Sequence, residues 1–268
     1  MEFASKDVLF SIAMGLDLPD ILRWCRSNSR VNNVVCNNPN VWRNKLLRDY
    51  PDYEKFNLER SLKETYVFMY QLSLIKDLLN SNESLYDIFL SKNLYLPPGL
   101  KKIPAFDLPN LQLFYLVDSH LTKIPAFNLP NLKELYLSHN QLTEVPSFNL
   151  PYLRRLYLGY NQLTEVPSFN LPNLEDLYLS SNQLTAVPSF DLPNLKILEL
   201  HKNKLTKVPP FNLPNLKKLT LENNHLTKLP EWNLPNIEMI LLYNNDLTEE
   251  EKIKIKDKYK NTDVEIVI

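Results

Sequence analysis

Glycine is nearly missing. Three glycines, Gly15, Gly99 and Gly159, stand far apart among 268 residues. No Gly-rich phosphate loop or dinucleotide fingerprint can be built from them, and a collagen-like chain, with glycine at every third position, is excluded. Cysteine is as sparse: Cys25 and Cys36 are too few for a disulfide framework, which fits a reducing compartment. No apolar run reaches the ~18 residues of a membrane span. Glu2 and Asp7 lie near the apolar residues of the N-terminus and no basic stretch precedes them, so it does not read as a secretory signal. Neither charge is in excess, with 30 basic and 31 acidic residues for a net charge of −1, so no long-range field favours nucleic acid or anionic lipid. The expectation is a soluble, intracellular, cytoplasmic protein with neither nucleic acid nor membrane as partner. With 44% hydrophobic and 23% charged residues the chain is of the folded, not the disordered, class, and its length allows one large domain or two smaller ones.

Proline, by contrast, is abundant and periodic. Leu-Pro-Asn-Leu starts at Leu108, Leu129, Leu171, Leu192 and Leu213, varied as Leu-Pro-Tyr-Leu at Leu150 and Leu-Pro-Asn-Ile at Leu234, at a constant step of 21 residues. Seven copies at such a period specify a solenoid. Each copy carries L-x-x-L-x-L-x-x-N-x-L; one reads Leu132, Leu135, Leu137, Asn140, Leu142. Leucines two apart share one face of a strand. Leu137, Leu158, Leu179, Leu200, Leu221 and Leu242 therefore stack into one core column, and each coil needs its neighbours to bury it. The column Asn140, Asn161, Asn182, Asn203, Asn224 and Asn245 falls where the chain must turn without a sheet partner. A buried amide there can bond backbone groups of adjacent coils, which predicts a structural ladder. Ser119 takes this place in the first copy.

Fourteen of the 20 prolines occupy two positions per copy, from Pro104 to Pro230 and from Pro109 to Pro235. Proline fixes φ and removes a donor, so the side opposite the strands is expected to be extended, with at most a short 3₁₀ turn. Phe127, Phe148, Phe169, Phe190, Phe211 and Trp232 are expected to fill the core from that side. The threonines Thr122 to Thr248 are expected to bond locally to backbone.

The pattern resembles the leucine-rich-repeat family over about residues 108–247. The resemblance implies an α/β solenoid, curved, with a parallel concave sheet and an extended or 3₁₀, proline-rich convex side. On such an array partners meet the outward strand positions. Tyr115, Tyr136, Tyr157 and Tyr178 form one aromatic stripe there, at ~4.8 Å per strand, followed by Glu199. Arg155, Asp176 and His201 lie in the flanking columns. Exposed tyrosine and arginine are typical interface anchors, although tyrosine is also a good strand residue that duplication alone would repeat.

No catalytic residue, cofactor-binding residue or metal ligand is identified. His120, His139, His201 and His225 lack metal-site spacing, and Asp118 and His139 can approach across coils but meet no nucleophile, so the expectation is a non-enzyme without a cofactor. Thr248-Glu249-Glu250-Glu251 matches a capping box before a helix to about Tyr259, and the Val264–Ile268 tail can add a last edge strand.

Residues 1–80 carry no repeat and read as helices: one capped by Ser5, one through Ile21, Leu22 and Cys25, one opened by Asn38-Pro39, and one opened by the box Ser61-Leu62-Lys63-Glu64 and ending near Asn80. The stretches Leu16-Asp17-Leu18-Pro19-Asp20-Ile21-Leu22, Cys25-Arg26-Ser27-Asn28-Ser29-Arg30 and Asn38-Pro39-Asn40-Val41-Trp42-Arg43 resemble, in order and spacing, an F-box, over about residues 4–50. Ala4-Ser5 stands where that family has a Leu-Pro pair. The resemblance implies docking onto a Skp1-like protein of a cullin-type ubiquitin ligase, with Leu9, Leu16, Leu18, Pro19, Ile21 and Leu22 as contact candidates. The F-box and leucine-rich-repeat pairing is also similar to repeat proteins of large DNA viruses, which would place the chain in host cytoplasm. The expected organisation is an F-box-like helical domain (1–50), a helical connector and N-terminal cap (51–84), leucine-rich repeats with an irregular first coil near Leu85, Ile88 and Leu90 (85–247), and a C-terminal cap (248–268). The implied function is substrate recognition for the ligase, with an unknown client protein on the concave face. The alternative is a repeat interaction protein with no ligase role.

Overall fold

A computed structural model describes residues 4–125 and 127–268. The chain forms two compact units, Met1–Phe89 and Leu90–Ile268.

The first unit is helical: α1 (Lys6–Gly15), α2 (Leu18–Ser27), α3 (Ser29–Val31) running on into a π-helical turn (Asn32–Cys36), α4 (Pro39–Asp49), a 3₁₀ turn (Tyr53–Phe56), α5 (Leu62–Leu79) and α6 (Leu85–Leu90). Each main helix starts where a polar side chain can accept a bond from its first-turn amides. Ser5 accepts from the Val8 amide, Asp17 from Asp20 and Asn38 from Asn40. Ser61 and Glu64 exchange both bonds of a capping box, and α5 ends at Asn80 in the left-handed conformation, φ 47°. Residues 85–90, expected as an irregular first coil, are helical instead; Ser84 and Asp87 satisfy each other's amides at its start. The core packs Leu9, Ala13, Ile21, Val35, Trp42, Leu46 and Ile75 at no more than 1% exposure. Lys45 is buried among them because its Nζ donates to the Leu16 carbonyl at 2.7 Å and lies 3.8 Å from Asp49. Burial, then the nearby Arg48 charge, pushes its ammonium below the usual lysine range. Arg48 also donates to the Met14 carbonyl, so two α4 cations satisfy carbonyls at the end of α1. The two cysteines, too few for a framework, nonetheless bond to one another: Cys25 of α2 and Cys36 of the π-helical turn form a single disulfide, with Cα atoms 6.3 Å apart, inside the range a disulfide spans.

The second unit is a parallel-sheet solenoid. Its strands are β1 (Asn93–Tyr95), β3 (Leu113–Tyr115), β5 (Glu134–Tyr136), β6 (Arg155–Tyr157), β7 (Asp176–Tyr178), β8 (Ile197–Glu199), β9 (Lys218–Thr220), β10 (Met239–Leu241) and β11 (Glu265–Val267). They form one nine-stranded sheet in that order. Every pair is parallel, so Tyr136 faces Tyr157 and Tyr157 faces Tyr178 across neighbouring coils. Leu135, Leu156, Leu177, Leu198 and Leu219, with the Leu137 column, are fully buried, each contributing about 2 kcal/mol of apolar burial. From the opposite side Phe148, Phe169, Phe190, Phe211 and Trp232 stack with ring centroids 6.2–6.4 Å apart. The second proline of each copy sits in a hydrogen-bonded turn, as where the Leu111 amide donates to the Leu108 carbonyl at 3.1 Å, and among the described residues the rest of this side carries the two-residue pair β2 (Phe106–Asp107) and β4 (Phe127–Asn128) and one bridge between Asn212 and Asn233.

The asparagine ladder is as expected, and its bonds are specific. Asn182 Oδ1 accepts from the Leu163 amide at 3.0 Å, while its Nδ2 donates to the Leu158 and Leu179 carbonyls at 3.0 and 3.1 Å. The same three contacts recur around Asn140, Asn161, Asn203, Asn224 and Asn245. In the first copy Ser119 Oγ replaces only the acceptor, at 3.2 Å from the Leu100 amide. A second ladder runs beside it: the Asn of the Leu-Pro-Asn-Leu motif donates to the carbonyl of the proline in the preceding coil's own motif, as Asn173 does to Pro151 at 2.8 Å. The threonine column does not bond as expected, for the hydroxyls of Thr122 to Thr227 are exposed and engage no other described residue. Only Thr248 does so, accepting from the Glu251 amide to cap α7 (Glu249–Tyr259). The expected box is half formed, because Glu251 reaches instead to the Leu229 amide. The tail closes the sheet as β11 against β10.

Candidate protein-binding face

The outward positions of the sheet alternate with the buried leucines, so side chains two residues apart share this face. Tyr136, Tyr157 and Tyr178 stack face to face with centroids 4.3 and 4.4 Å apart and planes within 8°. Tyr115 and Tyr95 extend the row, tilted by 41°, at 5.4 and 5.9 Å. Tyr95 escaped the repeat pattern because β1 pairs with β3 at an offset one residue short of the regular period. The short motif Leu94-Tyr95-Leu96 was its only sequence signal. Tyr95 and Tyr115 are exposed, and the three stacked rings are half-buried.

One column over, charges pair across coils. Arg155 lies between Glu134, at 3.1 Å, and Asp176, at 3.3 Å, and the Glu134 carboxylate raises its guanidinium further. Burial raises the Asp176 carboxyl, partly offset by Arg155. Burial, then its bond to Glu134 at 2.6 Å, raises the Tyr136 phenol well above the ordinary range. These groups hold each other in place and leave the ring edges as the available surface. Beyond Tyr178 the row turns acidic. Glu199 pairs with Lys218 at 2.8 Å, and His201 Nδ1 lies 3.2 Å from Thr220 Oγ1, 3.8 Å from Glu222 and 4.0 Å from Glu199. Tyr115, Tyr136, Tyr157, Tyr178, Arg155, Asp176, Glu199 and His201 thus share one continuous face. The asparagine column turns its amides to interior carbonyls, buried from Asn140 to Asn224 and half-buried at Asn245, and has no part in it.

Among the described residues no group of three or more His, Cys, Asp or Glu side chains is placed to hold a metal ion, and no helix is long and apolar enough to cross a membrane. His139 reaches within 3.9 Å of Asp118 and stacks on Tyr160 at 4.3 Å, with no nucleophile between them.

In the helical unit the six proposed docking residues divide. Leu9, Leu18 and Ile21 are buried, at no more than 4% exposure, because they point into the seams between helices. They pack the helical core here and present no open surface to a partner in this conformation. Pro19 is exposed, and Leu16 and Leu22 are half-buried. Val8 and Ile12, one turn apart on α1, are exposed as well.

The family model for leucine rich repeats (2 copies) matches residues 109–152, 130–173, 151–192, 172–213 and 193–236. Among solved structures the chain is similar to a leucine-rich-repeat protein of Leptospira interrogans, at 32% identity and TM-score 0.57 over 64% of this chain and 48% of that one. It is similar to YopM of Yersinia enterocolitica at 25% identity and TM-score 0.56, over 75% of this chain and 42% of that one. For InlP of Listeria monocytogenes the values are 26% and 0.53, over 65% and 63%. The chain thus spans less than two thirds of each of these proteins. No curated protein sequence matches it. The 21-residue coils between 109 and 236 match leucine-rich repeats, and the parallel-sheet solenoid they build is the fold shared with these solved structures.

Proposed function

We propose that the chain is a non-catalytic adaptor that captures a client protein on the sheet face, and that its helical unit ties this client to a Skp1-like subunit of a cullin-type ubiquitin ligase. The observation that supports client capture is the five-ring tyrosine row from Tyr95 to Tyr178, whose edges are open beside a self-paired charge network. Rigid aromatic side chains already held in place lose little entropy on binding, which makes them good anchors. An adaptor performs no chemistry; it raises the local concentration of its client near a transferring enzyme. The ligase attachment is supported by the order of the F-box-like motifs and by the exposed Val8, Ile12 and Pro19. The burial of Leu9, Leu18 and Ile21 favours the second reading, an interaction scaffold in which the helical unit has no ligase role.

Two measurements test the proposal. Tyr136→Ala with Tyr157→Ala is expected to abolish client capture in affinity purification while the far-UV circular dichroism stays unchanged; unchanged capture refutes the face as binding surface. Full-length protein is expected to co-purify with Skp1 at micromolar concentration, and Val8→Asp with Ile12→Asp to break that association. No association of the full-length protein removes the ligase role and leaves the scaffold.

A further inference from the structure

Glu222 lies on the sheet face two residues past β9, with its side chain 8% exposed. Its Oε2 is buried without a hydrogen-bond partner among the described residues, and its Oε1 has only the His201 ring, 3.8 Å away. Buried carboxylates are ordinarily paired or bonded, since an uncompensated charge is strongly disfavoured away from water. The neighbouring Glu199 shows the ordinary solution, with Lys218 at 2.8 Å. Among the described residues Glu222 has no such partner: a carboxylate is placed here with no full cation beside it.

We infer that Glu222 anchors a pocket on the sheet face that receives the side chain of an arginine from a bound protein. The inference rests on the reading of that face as the client-binding surface. In the parallel register His201 precedes and Tyr243 follows Glu222 in one outward column, one coil away on each side. A guanidinium entering this column brings parallel N–H donors to a carboxylate and flat faces suited to rings on both sides. An ammonium group offers the charge without that fork. Thr220, bonded to His201 at 3.2 Å and buried, holds the imidazole in place.

The test uses the full-length protein, isotope-labelled, and a blocked Gly-Gly-Arg-Gly-Gly peptide followed by amide chemical shifts. Saturable shifts at residues 199–202, 220–223 and 243 are expected. The same peptide with citrulline, isosteric and uncharged, is expected to bind at least about tenfold more weakly, as is the arginine peptide to Glu222→Gln. Without peptide, Glu222→Gln is expected to melt no lower than wild type, since the substitution relieves an unpaired buried charge; a purely structural carboxylate would give a lower melting temperature. Absence of saturable shifts at millimolar peptide, equal binding of citrulline, retained binding by Glu222→Gln, or a lower melting temperature of that variant would overturn the inference. Tyr136→Ala with Tyr157→Ala separates the two readings. Intact arginine shifts with undiminished client capture sink the tyrosine face and keep the pocket, while tyrosine-dependent capture without arginine shifts does the reverse.

Discussion

Replacing Asn182 by alanine removes one rung from the middle of the ladder, and the loss can be worked out bond by bond. The Leu163 amide loses its acceptor, Asn182 Oδ1 at 3.0 Å, and sits where water does not reach. An orphaned buried N–H costs about 1–3 kcal/mol. The carbonyls fare better: Ser180 O, 3.3 Å from Asn182 Nδ2, keeps the Tyr160 amide, and the other two each accept from two rungs. Leu158 O keeps Asn161 Nδ2 at 3.0 Å, and Leu179 O keeps Asn203 Nδ2 at 3.0 Å. Each lost bond to them therefore costs only about 0.5–1 kcal/mol. The expected total is about 3 kcal/mol, which for a unit of this size lowers the melting temperature by roughly 6–12 °C. Asn245, at the last coil, is half-buried, so water can replace its bonds and the same substitution should cost only about 1 kcal/mol. Asn182→Ser should fall between, because Ser119 shows that a hydroxyl can serve as the acceptor but not as the double donor. Urea denaturation monitored by circular dichroism measures all three. An Asn182→Ala cost indistinguishable from that of Asn245→Ala would refute the argument that burial and orphaning of the Leu163 amide set the magnitude.

Other expectations follow from single contacts. Burial would raise the Asp49 carboxyl, but bonds from Arg48 and from Tyr66, the latter at 2.7 Å, outweigh it and hold the carboxyl below its usual range. A depressed carboxylate stabilises the fold above about pH 4 and loses that contribution as pH falls through the folded value. Tyr66→Phe should therefore cost about 1.5–3 kcal/mol in urea denaturation at pH 7, and less at an acid pH below the folded value. A cost equal at both pH values would show that the bond to the carboxylate is not responsible. Lys202 is exposed and held at φ 53°, so Lys202→Gly should stabilise by about 0.5–1 kcal/mol in the same assay; a loss would contradict it. Ile255 is the buried contact of α7, at 5% exposure, and Ile255→Ala should cost about 2–4 kcal/mol and increase hydrogen exchange in β10 and β11 ahead of the other strands. Uniform exchange across the sheet would mean that α7 is not what closes this end.

The solenoid was legible because its physics is periodic. One Leu-x-Leu per 21 residues sets the strand, one asparagine sets the turn, and seven repetitions leave no other alignment, so β3 to β10 lie where the motif puts them. What escaped was whatever left the period or depended on geometry rather than residue type. Tyr95 sits in a coil one residue short. The second ladder through Asn131, Asn173, Asn194, Asn215 and Asn236 was hidden inside a motif read only for its proline. Each coil also holds a non-glycine residue in the left-handed conformation just before the ladder position, from Asp118 to Asn244, at φ 53–57°. Glycine scarcity thus has a conformational cost, which the ladder's bonds offset. In the helical unit the capping residues marked helix starts well, since a cap is a local interaction. Which face of α1 or α2 turns inward is a tertiary fact, so the burial of Leu9, Leu18 and Ile21 could not be read from the motifs.

The sheet face shows the same division at the scale of single atoms. Its columns could be written down from the sequence, because a parallel register with a fixed period makes every outward residue a neighbour of its copies. Their electrostatic state could not, because it turns on which side chain leans toward which coil. Glu134, Asp176 and Glu199 are all paired, through Arg155 and Lys218, so three of the acidic residues that mark the face are already neutralised by the chain itself. A basic partner would gain little from them, since each contact would have to displace an existing pair. Glu222 differs only in that its nearest cation-capable neighbour is an imidazole at 3.8 Å and its second oxygen is bare. The discriminating feature of this face is therefore the single carboxylate without a partner rather than its summed charge. A client selected by this face should be sensitive to one arginine and indifferent to its overall basicity.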